Sequence, residues 1–254
     1  MRRTPACWTA GWNGSTPLPD TVDVGADDDP VGAFLAAHAA GRRVVLRTSG
    51  SSGASRRVVR STGSWVASFP AVAELSGLDA ASRVWVPGHL TATMNLFAAV
   101  HAAWLGAERV DDPGRATHAT LTPSALAAGL DRAVPLAGTH VVVAGDRLTA
   151  TLHRRAEAAG VTVHHYYGAA ELSFVGWGGH AGDLRAFPGV TVQVREEEIW
   201  VRSPYLCDGY DGPSGPLRRD GSGFATVGDR GELSDGWLTV WASITAPVSR
   251  RAVK

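Results

Sequence analysis

The stretch VVLRTSGSSGASRRVV, residues 44–59, changes character twice within sixteen positions. Val44, Val45 and Leu46 form a short β-branched and aliphatic run, and Val58 and Val59 resume it, so the segment reads as strand, polar loop, strand. The loop between them holds Gly50, Gly53, hydroxyl residues at Thr48, Ser49, Ser51, Ser52 and Ser55, and then Arg56. Backbone N–H groups, hydroxyls and one fixed cation make a good host for an anion, and a polyphosphate is the natural guest. A standard P-loop is ruled out, because Gly53 leads into Ala54-Ser55-Arg56-Arg57 and a strand where that motif needs Gly-Lys-Ser/Thr opening a helix. By itself the loop is equally a polar hairpin turn.

Outward from this segment the apolar period alternates. Upstream, Asp29-Pro30 supplies a cap and a first-turn proline, with Val31, Phe34, Leu35 and His38 at helical spacing and Gly41 as a stop. Downstream, helical patterns near 64–76, 93–106, 123–132 and 149–159 alternate with apolar runs at 83–86, 139–143 and 161–163. Such alternation predicts an α/β fold, a layered, largely parallel sheet with flanking helices. From about residue 190 the texture becomes short strands at 190–194, 198–202 and 238–241 between Gly/Pro/Asp turns, which predicts a small β-rich subdomain. The expected division is an α/β nucleotide- and acyl-binding region over 1–189 and the β-rich unit over 190–254.

Composition bounds the function. With 254 residues, 44% hydrophobic and 19% charged, the chain can bury a sizeable core. The 24 basic and 24 acidic side chains cancel, so no global field draws it to nucleic acid or to an anionic membrane, and a small-molecule partner is favoured. No apolar run is long enough for a signal peptide core or a bilayer span, which predicts a cytoplasmic protein. Cys7 and Cys207 lack metal-site or disulfide-framework spacing and read as plain thiols. No G-x-S-x-G elbow is present, and His164-His165, the one histidine pair, would face opposite sides of a strand and so not form a metal site.

The order of several short blocks is more specific than any one of them. Thr48-Ser-Gly-Ser-Ser-Gly-Ala-Ser-Arg56 resembles the phosphate-binding signature of the adenylate-forming superfamily, T-S-G-[ST]-T-G-x-P-K, with Ser55 for the proline and Arg56 for the lysine. Tyr166-Tyr-Gly-Ala-Ala-Glu171 is similar to the family's Y-G-x-T-E. Glu198 to Tyr210, EIWVRSPYLCDGY, resembles the G-E-[LI]-x-V block that ends in G-Y. Thr226-Val-Gly-Asp229 with Asp235-Gly-Trp-Leu238 resembles T-G-D followed by D-G-x-L, and Pro87-Gly-His89, Thr122 to Leu126 and Ala144 to Leu148 are weaker echoes. The resemblance covers roughly residues 40–241 and is nearest to compact o-succinylbenzoate-CoA ligase-like members.

The resemblance implies roles for individual residues. The loop from Thr48 through Ser49, Gly50, Ser51, Ser52, Gly53 to Arg56 would wrap the phosphates of ATP, with Arg56 as the catalytic cation. Glu171, with Thr48, would hold Mg2+, a hard cation suited to carboxylate and phosphate oxygens. Tyr167 would lie against adenine, Gly168, Ala169, Ala170 and Gly145 would border the nucleotide, and Asp229 would take the ribose hydroxyls. His89 and Tyr166 would face the acyl pocket. Considered singly, a Tyr-Tyr pair is commonly core, an Asp after Gly a turn residue, Glu171 a cap or solvent-facing group, and a lone His89 structural.

The implied reaction is attack of a carboxylic acid on the α-phosphorus of ATP, giving an acyl-adenylate and pyrophosphate, with coenzyme A or an acyl carrier as a later acceptor. After Trp241 the family continues G-R-x-[DK]-D and a small C-terminal domain with a catalytic lysine. This chain has Ser243 at the arginine position and ends at Lys254, so that domain is expected to be absent or supplied separately. Three readings follow: an adenylating enzyme, a nucleotide- or acyl-adenylate-binding protein without turnover, or a piece of a longer ligase.

Overall fold

The computed structural model describes residues 20–48, 56–213 and 215–242. The chain begins with β1 (Thr21–Asp23), α1 (Pro30–Ala39), β2 (Arg43–Arg47) and β3 (Arg57–Ser61). Asp29 caps α1 as its sequence suggests, with its Oδ1 accepting from Gly32 N at 3.0 Å and Pro30 needing no partner in the first turn. Strands β1 and β2 are parallel, and β2 and β3 form an antiparallel hairpin with Val45 opposite Val59 and Arg47 opposite Arg57.

The single helical pattern expected near 64–76 is two helices, α2 (Thr62–Val66) and α3 (Phe69–Ser76). Ser68 causes the break together with Pro70. The Ser68 hydroxyl donates to the Trp65 carbonyl at 2.7 Å, competing with the helix ladder, while Pro70 has no N–H to continue it.

Next come β4 (Arg83–Trp85), α4 (Thr93–Leu105), β5 (Glu108–Val110), β6 (His118–Leu121), α5 (Pro123–Asp131), β7 (His140–Val143), α6 (Ala150–Ala158) and β8 (Thr162–Ala169). Thr122 and Thr149 cap α5 and α6, each hydroxyl accepting from a backbone N–H at 3.2 Å. Strands β5, β4, β6, β7 and β8 lie side by side and parallel, the expected α/β arrangement.

The remaining strands are β9 (Ser173–Gly178), β10 (Leu184–Ala186), β11 (Thr191–Arg195), β12 (Glu198–Arg202), β13 (Gly209–Tyr210), β14 (Arg218–Arg219), β15 (Ala225–Thr226), β16 (Arg230–Ser234) and β17 (Trp237–Ala242). From β8 the large sheet continues antiparallel through β9, β10, β17, β16, β12, β15 and β14, with β11 paired to β12. Strand β13 leaves it and pairs with β3, so the Gly209-Tyr210 turn returns to the small N-terminal sheet. No described helix is long and apolar enough to cross a membrane.

An aromatic core fills the space between the two sheets, built from Phe34, Trp65, Phe69, Phe97, Phe174, Phe187 and Tyr205. A second core of Leu121, Leu126, Val141 and Leu148 lies under the parallel strands, and a third of Leu172, Val175, Ile199 and Leu238 under the antiparallel half. Cys207 is a buried free thiol whose pKa burial pushes up to about 11. Neighbouring parallel strands also bring His118, His140 and His164 into one stack, with ring centroids 5.1 and 5.5 Å apart. His165, next in sequence, instead donates its Nδ1 hydrogen to the Val143 carbonyl at 2.9 Å, as strand alternation requires.

Burial holds His118, His164 and His165 neutral. It lowers the pKa of His164 to about 4, with His140 and His118 adding to the effect, and lowers those of His118 and His165. His101 on α4 is likewise pushed down to about 4 by desolvation. Above about pH 6.5 these side chains are neutral both folded and unfolded, so they carry no proton linkage. Below it the unfolded chain binds protons that the fold excludes, and stability is lost as pH falls from about 6.5 toward 4. Urea titrations should therefore show the unfolding midpoint dropping steadily between pH 6.5 and 4.5, before most carboxylates titrate. A midpoint constant over that range contradicts the neutral histidine core.

Candidate active site

The polar loop is anchored at its base. Thr48 N donates to the Arg56 carbonyl at 2.9 Å, and Arg56 N donates to Thr48 Oγ1 at 3.1 Å, closing the β2–β3 hairpin. Both residues line a cleft of about 690 Å3, within the usual size of a small-molecule site. Ser49, Gly50, Ser51, Ser52 and Gly53 lie outside the described residues.

The opposite wall is the end of β8. Tyr166, Tyr167, Gly168, Ala169, Ala170 and Glu171 all border the cleft, and the strand extends to Ala169, well past the short run that the apolar pattern suggests. The register shifts between Tyr167 and Gly168 as the chain turns into β9. A Cβ on Gly168 would stand 1.9 Å from the Ser173 carbonyl oxygen, so only glycine allows this approach. Ser173 itself holds φ +61, an unusual left-handed conformation for a non-glycine residue.

Glu171 sits in this turn, 1% exposed. Its Oε1 accepts from the Tyr210 hydroxyl at 2.8 Å, and its carbonyl accepts from Cys207 N at 2.8 Å. Tyr210 arrives on β13, and burial followed by the Glu171 charge raises its pKa. Beside it is a residue that the sequence reading gave no role: Arg60 on β3, fully buried. Its guanidinium donates to Ser64 Oγ at 3.1 Å, to the Ala170 carbonyl at 3.4 Å and to the Tyr205 carbonyl. Desolvation lowers its pKa to about 10, opposed by Cys207, Asp208 and Glu171. An arginine directly after the Val58-Val59 pair is the sequence signal for it.

Asp229, also 1% exposed, accepts the Tyr167 hydroxyl at 2.8 Å. It therefore stands behind Tyr167, and it is not among the described residues lining the cleft. Gly145 does line it, with φ +86 and a virtual Cβ 3.6 Å from the Thr122 methyl. His89 does not. It is exposed on the loop before α4, and its carbonyl accepts from Asn95 Nδ2 at 3.1 Å. Tyr166 reaches the inner end of the cleft beside Met94, Phe97 and Phe174.

Arg47, Arg56, Arg60 and Arg147 on the walls outnumber the two acidic groups, Asp146 and Glu171, so the cleft suits a polyanion. No cluster of three metal-ligating side chains occurs among the described residues. One carboxylate meets the need of a magnesium ion that takes its other ligands from phosphate and water. Glu171, with its second oxygen not engaged by Tyr210, fits that demand.

No protein-family model matches the chain. No curated protein matches it. Solved structures do: Escherichia coli MenE with a bound analogue of OSB-AMS is similar over 79% of this chain and 48% of its own, at 23% identity and a TM-score of 0.67. ATP-bound MatB from Rhodopseudomonas palustris is similar over 78% of this chain and 47% of its own, at 19% identity and a TM-score of 0.67. The O-succinylbenzoate coenzyme A synthetase of Bacillus subtilis, in complex with AMP, matches over 78% and 48%, at 17% identity and a TM-score of 0.67. The chain thus has the fold of the N-terminal part of adenylate-forming ligases and spans about half the length of these structures.

Because Gly168 touches backbone, no rotamer change can relieve an added methyl group. Gly168→Ala should therefore cost roughly 2 kcal/mol or more of stability. Urea denaturation would measure the loss, and wild-type stability would refute the close approach.

Proposed function

We propose that this chain is the nucleotide- and acid-binding half of a carboxylate-activating enzyme of the adenylate-forming superfamily, joining a small carboxylic acid to AMP from ATP. The observation that carries the reading is convergence: Thr48 and Arg56 on one wall of a single cleft, with Tyr167, Gly168 and Glu171 on the other.

In this reading the 48–56 loop and Arg56 bind the phosphates and neutralise charge that grows as pyrophosphate departs. Tyr167 presents a flat ring to adenine, and Ala169, Ala170 and Gly145 border the nucleotide. Asp229 fixes the Tyr167 ring through its hydroxyl. The acid enters beside Tyr166, and its carboxylate attacks the α-phosphorus, forming a C–O–P linkage as the bond to pyrophosphate breaks. Positioning and electrostatics supply the catalysis, with no protein nucleophile. Magnesium held by Glu171 would supply further charge neutralisation. Thr48 is the second residue offered to the metal. Transfer to coenzyme A or an acyl carrier would use a C-terminal domain, in the same polypeptide or a separate one. The cytoplasm, where ATP is made available, is the setting we assign.

A second reading, nucleotide or acyl-adenylate binding without turnover, is favoured by one feature. Both functional carboxylates, Glu171 and Asp229, already accept a tyrosine hydroxyl.

ATP–pyrophosphate exchange across a panel of carboxylic acids, with and without an added C-terminal domain, separates the two. Glu171→Gln retains an acceptor for Tyr210 but removes the charge, and should lower magnesium-dependent exchange about a hundredfold. Unchanged exchange would remove Glu171 from the metal role. Tight binding of a non-hydrolysable acyl-adenylate with no exchange would favour the second reading, and failure to bind ATP would refute both.

A further inference from the structure

Behind the cleft lies a small cavity of about 40 Å3. Met94, Phe97, Tyr166 and Phe174 line both, so the cavity is the inner continuation of the space beside Tyr166. Val72, Leu78, Val84 and Val142 make its far walls apolar. Its volume admits a few non-hydrogen atoms at most, by comparison with the roughly 10–15 Å3 needed for one water-sized probe.

Four polar side chains, Ser76, His101, His118 and Thr120, stand on those walls. Ser76 Oγ donates to the Val72 carbonyl at 2.7 Å, and His118 Nε2 donates to the Ser76 carbonyl at 3.1 Å, so both are occupied. His101, 1% exposed on α4, is not: its Nε2 has no hydrogen-bond partner among the described residues. The ring is held firmly, stacked on Phe69 at 4.6 Å between centroids and tilted against Phe97 at 5.8 Å. A buried polar atom left unpaired costs roughly 1–3 kcal/mol, which a ligand group bonding to it would recover.

We propose, building on the acid-activating function above, that the preferred substrate is a short carboxylic acid with a hydroxyl at the end remote from its carboxylate, and that His101 Nε2 recognises that hydroxyl. The small cavity excludes fatty acyl chains. Its apolar walls exclude a second carboxylate, which would be buried without a cation. Burial also keeps the imidazole neutral against a backbone hydrogen bond at Phe69, and the unpaired Nε2 can meet a hydroxyl, which both donates and accepts. Phe97, Tyr166 and Phe174 at the entrance present aromatic surfaces on which a ring-bearing acid can pack.

The test uses the full 254-residue chain and calorimetric titration with matched acids, in the presence and absence of a non-hydrolysable ATP analogue. The probes are 4-hydroxybenzoate, its near-isostere 4-methylbenzoate, terephthalate, and the aliphatic pair 5-hydroxypentanoate and hexanoate. Each hydroxy acid should bind at least tenfold more tightly than its methyl counterpart, and terephthalate more weakly than either aromatic monoacid. His101→Phe should bring the hydroxyl-to-methyl ratio to about one, while His101→Gln, which keeps a donor and an acceptor, should retain part of it. Nitrogen-15 resonances of the His101 ring should shift with the hydroxy acid and not with the methyl acid. Equal affinities in the wild-type chain, as when a water alone pairs Nε2, would overturn the proposal. So would a ratio that survives His101→Phe, or no binding by any of the acids. Affinity for the ATP analogue is read separately: its loss counts against the activating function, while discrimination among acids still decides the role of His101.

Discussion

A positive charge with no access to water organises the centre of this molecule. Burying a guanidinium costs several kcal/mol unless its donors are paired, so the chain around Arg60 must supply acceptors in fixed places. Three separate segments do so: Ser64 at the start of α2, the Ala170 carbonyl in the β8–β9 turn, and the Tyr205 carbonyl on the approach to β13. The guanidinium also lies 5.5 Å from the centre of the Trp65 ring. Since β3 belongs to the small sheet and β8 to the large one, this one side chain joins the two sheets at the cleft. Removing its charge would leave Glu171 buried without a neighbouring cation, and the turn that presents Glu171 would lose its anchor.

Tyrosine hydroxyls hold the two buried carboxylates. Tyr210 fixes Glu171 and Tyr167 fixes Asp229, each at 2.8 Å. Neutral donors of this kind satisfy a carboxylate without neutralising it, so the negative charge stays available to a cation or a ligand hydroxyl. Tyr210 can play this part only because β13 leaves the large sheet to pair with β3, with Tyr210 opposite Val58. The sheet exchange and the orientation of Glu171 are therefore one structural event.

Helices were legible wherever a cap preceded an apolar stripe: Asp29-Pro30 marks α1, and the 123–132 and 149–159 patterns became α5 and α6 behind Thr122 and Thr149. Strands were legible where valines cluster, as in β2, β3 and β7. Strand β6, His-Ala-Thr-Leu, carries little β-propensity and is a strand because β4 and β7 bond to both its edges. Strand β9 was hidden because Ser-Phe-Val-Gly-Trp-Gly is buried along most of its length and so lacks alternation. Of the cleft lining, Thr48, Arg56, Gly145 and the 166–171 block were named from the sequence, whereas Asp229 and His89 do not line it, and the contacts of Arg60 and Tyr210 were not legible. Those contacts join residues far apart in sequence, which no local pattern encodes.

The order of the sequence blocks becomes intelligible once the topology is known. Thr48 and Arg56 close the ends of β2 and β3, and the 166–171 segment ends the last parallel strand, where the sheet changes to antiparallel. In open α/β sheets the carboxyl ends of parallel strands are where ligands find exposed backbone and room, and β8 ends at such a place. The antiparallel continuation then runs outward and returns through β17, bringing Val240 and Trp241 back to the cleft wall. Segments far apart in sequence thereby share one cleft. Where a chain reverses, the backbone needs glycine and short polar side chains, and the same residues can meet phosphate. The composition that makes the 44–59 stretch look like an ordinary turn is thus also one whose backbone N–H groups and hydroxyls suit an anion.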